Sequence, residues 1–285
     1  MNQTSGNRSI AHKTTYFDKS IDKYSFETII VKSWIPVHYS ALGGISAEDG
    51  GLSKLLMKRP YVFINVAMTT DGKIDTFERK GAAISSPRDK ERVDRLRAES
   101  DAVMVGGKTL LDEDPKLTVK SEALRSDRVA RGLSPNPVKV GIVTKAHIKP
   151  DSAFLNAGPA DIVIFTTRQT SKAKVSFLEA CGVKVFVHDS ERVNLPEALA
   201  TLKELGIGRL MVEGGATLNF ELLNLGLVDE VIAYVAPMIF GGETAPTMAA
   251  GAGLKRIEAI PLKLNHVEKW DDGGVLVQYF LERSI

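Results

Sequence analysis

Four short stretches of the chain place acids, hydroxyls, cations and glycines where an apolar run stops. The first is Asn65-Val66-Ala67-Met68-Thr69-Thr70-Asp71-Gly72-Lys73. Asp71-Gly72 is a turn signal, whereas Asn65 is an amide inside an otherwise apolar run. A buried amide needs hydrogen-bond partners, and a ligand or a neighbouring backbone can supply them. The second stretch is Val105-Gly106-Gly107-Lys108-Thr109-Leu110-Leu111-Asp112-Glu113-Asp114-Pro115. Its glycines allow a tight turn and close approach of backbone to ligand. Lys108 and Thr109 follow at a place where a phosphate would accept N–H and hydroxyl bonds, although the P-loop pattern GxxxxGK[ST] is absent. Just upstream, Arg88, Lys90, Arg92, Arg95 and Arg97 make a basic helical run. Most of such a run is a solvated face. Arg97, between Leu96 and Ala98, is the one suited to hold an anion with its guanidinium fork. The third stretch ends a strand-like run in Thr166-Thr167-Arg168, and the fourth reads Leu210-Met211-Val212-Glu213-Gly214-Gly215-Ala216-Thr217-Leu218. In the fourth, an acid and two glycines lead into a helical pattern, whose start offers unpaired N–H groups to an anion.

These stretches need a scaffold that brings them together. Apolar runs suited to buried strands lie at 61–67, 102–106, 138–143, 162–166, 183–187, 210–213 and 230–236. Helical patterns fall at 171–180, 196–205 and 217–225. Another starts at Ser86-Pro87-Arg88-Asp89, with a capping serine and proline at the first helical position. Strands alternating with helices predict an α/β fold with a mainly parallel sheet covered on both faces. Near the end, 266–270 and 275–282 flank Asp271-Asp272-Gly273-Gly274, the signal of an antiparallel C-terminal hairpin. Residues 122–136 read as a long surface loop. Residues 1–58 differ from the rest and read as an N-terminal extension, mostly disordered, ahead of a domain over 59–285.

Composition narrows the function classes. The chain has 285 residues, of which 44% are hydrophobic and 25% charged, as in a soluble globular protein. A net charge of +2 makes no case for nucleic acid or an anionic membrane as partner. One cysteine, Cys181, excludes an intramolecular disulfide and a cysteine-based zinc cluster, and the five histidines show no metal spacing, so no metal is expected. Residues 1–24 carry no apolar signal region, and the plain expectation is a cytoplasmic protein.

Together and in order, the motifs NVAMTTDGKID (65–75), LRAESDAVMVGGKTLLDEDPKLTV (96–119), NPVKVGIVT (136–144), VEGGATL (212–218) and GLVDEVIAYVAPMIFGG (226–242) resemble the riboflavin-pathway pyrimidine reductases. That family has a dihydrofolate reductase-like fold. The resemblance implies NADPH-dependent reduction of a ribosylamino-pyrimidine 5′-phosphate, in which the opened sugar, as an imine, accepts hydride at C1′ and becomes a ribityl group. It implies cofactor contacts at Ala67, Thr109, Glu113, Thr144, Thr166 and Gly214 through Leu218 (Gly214, Gly215, Ala216, Thr217, Leu218). Substrate contacts fall on Asn65, Gly81, Arg97, Leu117, Lys120 and Glu213, with the phosphate at Arg97 and Lys120 and the pyrimidine edge at Glu213 and Asn65. Glu213 and Asp71 are the expected catalytic acids, Asp71 as a proton source or a group that positions water. Two departures stand out: Glu113 replaces the common aspartate, and Lys120 replaces an arginine of some members. Arg168 is a candidate reader of the extra phosphate that separates NADPH from NADH.

The bacterial bifunctional members carry a zinc deaminase, whose Cys-x-x-Cys element has no counterpart here. A stand-alone reductase resembles the archaeal and fungal type, which acts on the diamino-pyrimidinone; the deaminated uracil is the alternative substrate. Reduction of a pterin or folate, and nucleotide binding without catalysis, are the rival readings. The family is typically dimeric, and the apolar run 231–240 offers an interface for a homodimer.

Overall fold

Nine strands form one sheet in the order β5-β4-β3-β2-β6-β1-β7-β9-β8. They are β1 (Tyr61–Thr69), β2 (Ala102–Gly106), β3 (Val138–Ile142), β4 (Ile162–Thr167), β5 (Lys184–His188), β6 (Arg209–Val212), β7 (Glu230–Ala236), β8 (Leu262–Lys269) and β9 (Val275–Leu281). The structure, a computed structural model, describes residues 58–282. The expected extension over 1–58 therefore lies outside the described residues, apart from Lys58. Strands β1 to β7 are mutually parallel; β9 runs antiparallel to β7 and β8 antiparallel to β9. This is the mixed sheet, with its antiparallel C-terminal hairpin, that the pattern of strands and helices predicts.

Helices cover both faces. On one face α5 (Leu195–Glu204) and α6 (Ala216–Asn224) bury Leu199, Leu202 and Leu222 against Val62, Ile64, Met104 and Val212. On the other, α1 (Pro87–Glu99), α3 (Ala153–Asn156) and α4 (Lys172–Ala180) close over Phe63, Val103, Ile164 and Met211. Alternate residues of one strand thus feed opposite layers. The cap expected at Ser86 forms, and two others join it. Ser86 accepts from the Asp89 N–H, and Ser171 and Asn194 cap α4 and α5.

Two expectations are corrected. Residues 122–136 are not all loop, because α2 occupies Glu122–Ala130, capped by Ser121. Its buried Arg128 donates to the carbonyls of Ala98, Ser100 and Ser134, which ties the helix to the end of α1. The run 231–240 is also not a free apolar face. Val231, Ile232, Ala233, Tyr234 and Ala236 are buried within the chain, where β7 is paired on both sides.

Lys139 is fully buried on β3, and its ammonium donates to the carbonyls of Phe154 (2.9 Å) and Ala157 (2.5 Å) at the end of α3. Asp114 caps the other end, accepting from the N–H groups of Ala153 (2.7 Å) and Phe154 (2.9 Å). Burial lowers the Lys139 ammonium to about 8, with Asp114 acting in the opposite direction. The short helix thus ties β3 to the turn that carries Glu113.

Candidate active site

The chain leaves central β1, moves outward through β2 to β5, and returns as β6 between β2 and β1. Such a reversal leaves a crevice at the carboxyl ends of the strands. A cavity of about 1150 Å³ lies there, lined by the ends of β1 (Asn65, Ala67), β2 (Gly106, Gly107) and β3 (Ile142, Thr144) and by Glu213 after β6. Thr109, Glu113, Gly81 and Arg97 line it too, as do Gly215, Ala216, Thr217 and Leu218. Stretches separated by more than a hundred residues therefore meet on one rim.

Glycine shapes the cradle. A Cβ on Gly215 would stand 3.1 Å from the Thr109 hydroxyl, and one on Gly106 3.2 Å from Cβ of Leu218. Such spacing lets the two turns approach and leaves the N–H groups at the start of α6 open to an anion. The Gly214–Gly215 peptide is cis, and the Gly214 carbonyl accepts from the Gly106 N–H at 2.7 Å. Gly214 itself is turned to the sheet and does not line the cavity; its neighbour Gly215 does.

Across the cavity, Arg97 at the end of α1 holds Glu213 with both prongs. Nε donates to Oε1 at 2.6 Å and Nη2 to Oε2 at 2.7 Å, while Nη1 donates to the Thr118 carbonyl at 3.1 Å. Burial opposes the Arg97 charge, but the facing Glu213 outweighs it and holds the guanidinium above its ordinary value. The fork expected to hold a phosphate is thus occupied by Glu213. Beside this pair, Asn65 on β1 is one step beyond the register pair Ile64–Val212, level with Glu213 just past the end of β6. Asn65 is 7% exposed, and its Oδ1 has no hydrogen-bond partner in the protein. A buried acceptor without a partner costs about 1–3 kcal/mol, so a donor from a ligand would relieve it.

Glu113 closes the other lip, in a π-helical turn over Thr109–Glu113. Burial raises its affinity for a proton, the Thr109 hydroxyl opposes this, and Asp75 and Asp112 add to the rise. Two loops form the remaining wall. Lys73 pairs with Thr247 in a bridge, the Ile74 N–H donates to the Pro246 carbonyl, and Arg79 Nη2 donates to the Thr244 carbonyl. Asn219 on α6 donates to the Met248 carbonyl at 2.8 Å, linking this wall to the glycine cradle. The wall residues Arg79 and 243–247 escape the sequence reading, because only the pairing of two distant loops turns them inward.

Besides Gly214, four expected positions lie elsewhere. The Asp71 carboxylate is outside the cavity and clasps the 240–241 turn. It accepts from the Thr69 hydroxyl, from the Gly241 N–H at 2.7 Å and from the Phe240 N–H at 3.3 Å. The Thr69 bond foremost lowers its pKa, so it is a carboxylate at neutral pH and no proton source. Thr166 is fully buried, its hydroxyl shared between Thr170 and the Thr144 carbonyl, so it supports Thr144 rather than facing the cavity. Leu117 is fully buried in the core beneath α1. Lys120 lies in an adjoining cavity of about 240 Å³, with Lys90, and with Ser85 and Arg97 on the shared wall. Among the described residues no cluster of acids, histidines or cysteine is arranged to hold a metal, and no helix is long and apolar enough to cross a membrane.

A mainly parallel sheet with a glycine-cradled crevice over its strand ends, lined by a carboxylate and a buried amide, defines an α/β protein with a candidate ligand site where its strand order reverses. Residues 60–276 match the family described as the RibD C-terminal domain, and the chain belongs to that family. It is 43% identical to the 2,5-diamino-6-ribosylamino-4(3H)-pyrimidinone 5′-phosphate reductase of Archaeoglobus fulgidus, over 222 residues that make up 78% of this chain and 99% of the relative. The reductase of the same description from Methanothermobacter thermautotrophicus is 42% identical over 72% of this chain and 91% of that relative. Among solved structures, a pyrimidine reductase-like protein from Corynebacterium diphtheriae shares the fold. Its TM-score is 0.68 at 19% identity, over 83% of this chain and 97% of that one.

Proposed function

We propose that this chain reduces 2,5-diamino-6-ribosylamino-4(3H)-pyrimidinone 5′-phosphate with NADPH, giving the ribitylamino product of riboflavin biosynthesis. One observation carries the reading: Asn65, whose buried Oδ1 has no partner in the protein, lines the cavity together with Glu213. The diamino-pyrimidinone presents an amino group at position 2, a donor. The deaminated uracil presents a carbonyl there, which pairs with Asn65 only when the amide turns to offer its NH2 instead of Oδ1. The names of the two archaeal relatives agree with the aminated substrate.

NADPH, when bound, supplies hydride. The protein positions and polarises. The N–H groups of 215–218, with the Thr109 hydroxyl, would hold the pyrophosphate. Glu213 receives one Arg97 N–H on each oxygen. It can accept from the pyrimidine edge and stabilise positive charge on the protonated imine. The proton needed at the sugar ring oxygen on opening is assigned to Glu113, the cavity carboxyl on which burial favours the protonated form. Lys120 and Lys90 in the adjoining cavity would take the 5′-phosphate, because Arg97 is held by Glu213.

We further assign a homodimer, supported by the exposed Leu264 and Val267 on the outermost strand β8 and by Phe280 on β9. The sugar-phosphate substrate supports a cytoplasmic place. Residues 59–285 form the reductase domain. NADPH oxidation is measured with the diamino substrate, its deaminated form and dihydrofolate. The diamino substrate is expected to have the highest kcat/KM, and oxidation with dihydrofolate alone would overturn the reading.

A further inference from the structure

On α1, Asp94 stands one turn before Arg97 and is only 8% exposed. A carboxylate buried to this degree needs partners, and here they are backbone groups. Oδ1 accepts from the Lys120 N–H at 2.6 Å and Oδ2 from the Ser121 N–H at 2.8 Å. Arg97 holds the same segment, since its Nη1 donates to the Thr118 carbonyl at 3.1 Å. One helix thus grips 118–121 at three points. From the other side the Val119 N–H donates to Asn136 Oδ1 at 2.9 Å. Arg125 on α2 donates to the carbonyls of Val119 at 2.9 Å and Lys120 at 2.7 Å. Lys120 is therefore fixed through both its N–H and its C=O, and its side chain is the part left to move.

Asp94 also borders the cavity of about 240 Å³ that Lys90 and Lys120 line. An acid beside two ammonium groups ordinarily pairs with one of them. Lys90 even lies four positions before Asp94, on the same face of α1. Yet neither lysine has an ion pair among the described residues. The Asp94 oxygens face the N–H groups of the 120–121 backbone instead. Both ammonium groups therefore stay available to an anion in the cavity.

We propose that Asp94 is a positioning residue for the phosphate end of the substrate: it fixes the Lys120 backbone so that the ammonium group meets the phosphate already oriented. The inference rests on the phosphate placement given above, and Asp94 itself need touch neither substrate nor cofactor. Two effects oppose each other at this position. As a charge, Asp94 repels a phosphate dianion. As the acceptor of two N–H groups, it pre-organises the cation that binds that dianion. The two give opposite signs for Asp94→Asn, which keeps the size and one acceptor oxygen but removes the charge. Repulsion alone would make this variant bind the phosphate better. Positioning makes it bind worse, because the amide NH2 that replaces one oxygen faces a backbone N–H.

The test uses the full chain with saturating NADPH. It compares kcat/KM for the diamino substrate with that for the same compound lacking its 5′-phosphate. The wild type is expected to favour the phosphorylated form by about a hundredfold. Lys120→Met and Asp94→Asn are each expected to lower that ratio by about tenfold, through KM more than kcat. The double variant is expected to match Lys120→Met alone, since Asp94 acts through that side chain. A merely structural role would lower kcat/KM for both compounds together and leave the ratio in place. Arg125→Gln frees the Lys120 carbonyl from the opposite side and is expected to lower the ratio by about threefold. It decides the matter if Asp94→Asn does not fold, and an unchanged ratio there then overturns the proposal. A ratio that Lys120→Met lowers but Asp94→Asn leaves unchanged or raises also overturns it. A ratio that survives Lys120→Met refutes the phosphate placement, and the role of Asp94 with it, and leaves the hydride transfer intact.

Discussion

Both oxygens of Glu213 accept from Arg97, and the two side chains are only 14% and 15% exposed. Removing one charge from such a pair leaves the other largely buried without compensation, which costs about 3–5 kcal/mol. Glu213→Gln keeps one acceptor oxygen, so a stability loss toward the lower end of that range is expected, measured by urea unfolding. Its kcat is expected to fall at least a hundredfold while the NADPH dissociation constant stays within about threefold. Equal loss of both would reject Glu213 as the group that meets the substrate. Glu113 makes a separate, pH-dependent statement. An acid must carry its proton to act, so kcat should fall as pH rises through the elevated pKa of Glu113. Glu113→Gln should abolish that limb and lower kcat about a hundredfold or more, whereas Glu113→Asp should keep the limb. At Asn65, Asn65→Leu is expected to lower kcat/KM for the diamino substrate by about tenfold to a hundredfold and to change that for the deaminated one little. Asp71→Asn should alter stability more than kcat, since its partners are the 240–241 backbone. Glu213 is legible in the sequence as an acid at an apolar run's end and Asn65 as an amide inside one, whereas Glu113 is reached through the family resemblance. The Arg97–Glu213 bond spans 116 positions and leaves no local trace.

At the scale of elements, strands and caps follow from local pattern, while the placement of the turns depends on packing across the sheet. Gly141 in β3 shows the tolerance. A Cβ there would stand 2.6 Å from Cδ1 of Ile164 and 2.9 Å from Cδ2 of Leu110. Leu110 belongs to the turn that carries Thr109 and Glu113. Gly141→Ala is therefore expected to cost about 1–3 kcal/mol by overpacking, read from the denaturant midpoint, and to weaken NADPH binding through displacement of that turn. Helix α2 escapes the sequence reading because its anchor is not an apolar stripe. Only Arg128 is buried on it, and its worth lies in carbonyls that arrive from α1 and the 134 loop.

At the scale of the molecule, Lys139 couples the fold to pH. Its folded value of about 8 lies below the ordinary 10.5, so the unfolded chain binds more protons between these values and stability rises with pH across that window. Burial raises the Tyr61 phenol foremost, and its bond to Glu230 adds to this; the resulting opposite trend begins above pH 10. Unfolding midpoints should therefore climb from pH 8 to about pH 10, and Lys139→Met should flatten that climb. The assigned homodimer is read by light scattering, and Leu264→Lys with Val267→Glu is expected to give monomers that still bind NADPH.

The amino-acid sequence by itself determined the alternation of strands and helices, the caps, the C-terminal hairpin and the glycine turns. Each of these depends on neighbours within a few positions. Tertiary structure alone decided that Arg97 is held by Glu213 and that Asp71 and Thr166 serve as internal braces. It also buried Val231, Ile232, Ala233, Tyr234 and Ala236 on a strand paired on both sides. Those outcomes turn on which distant groups compete for the same hydrogen bonds, and that competition exists only once the sheet has brought its strand ends to one rim.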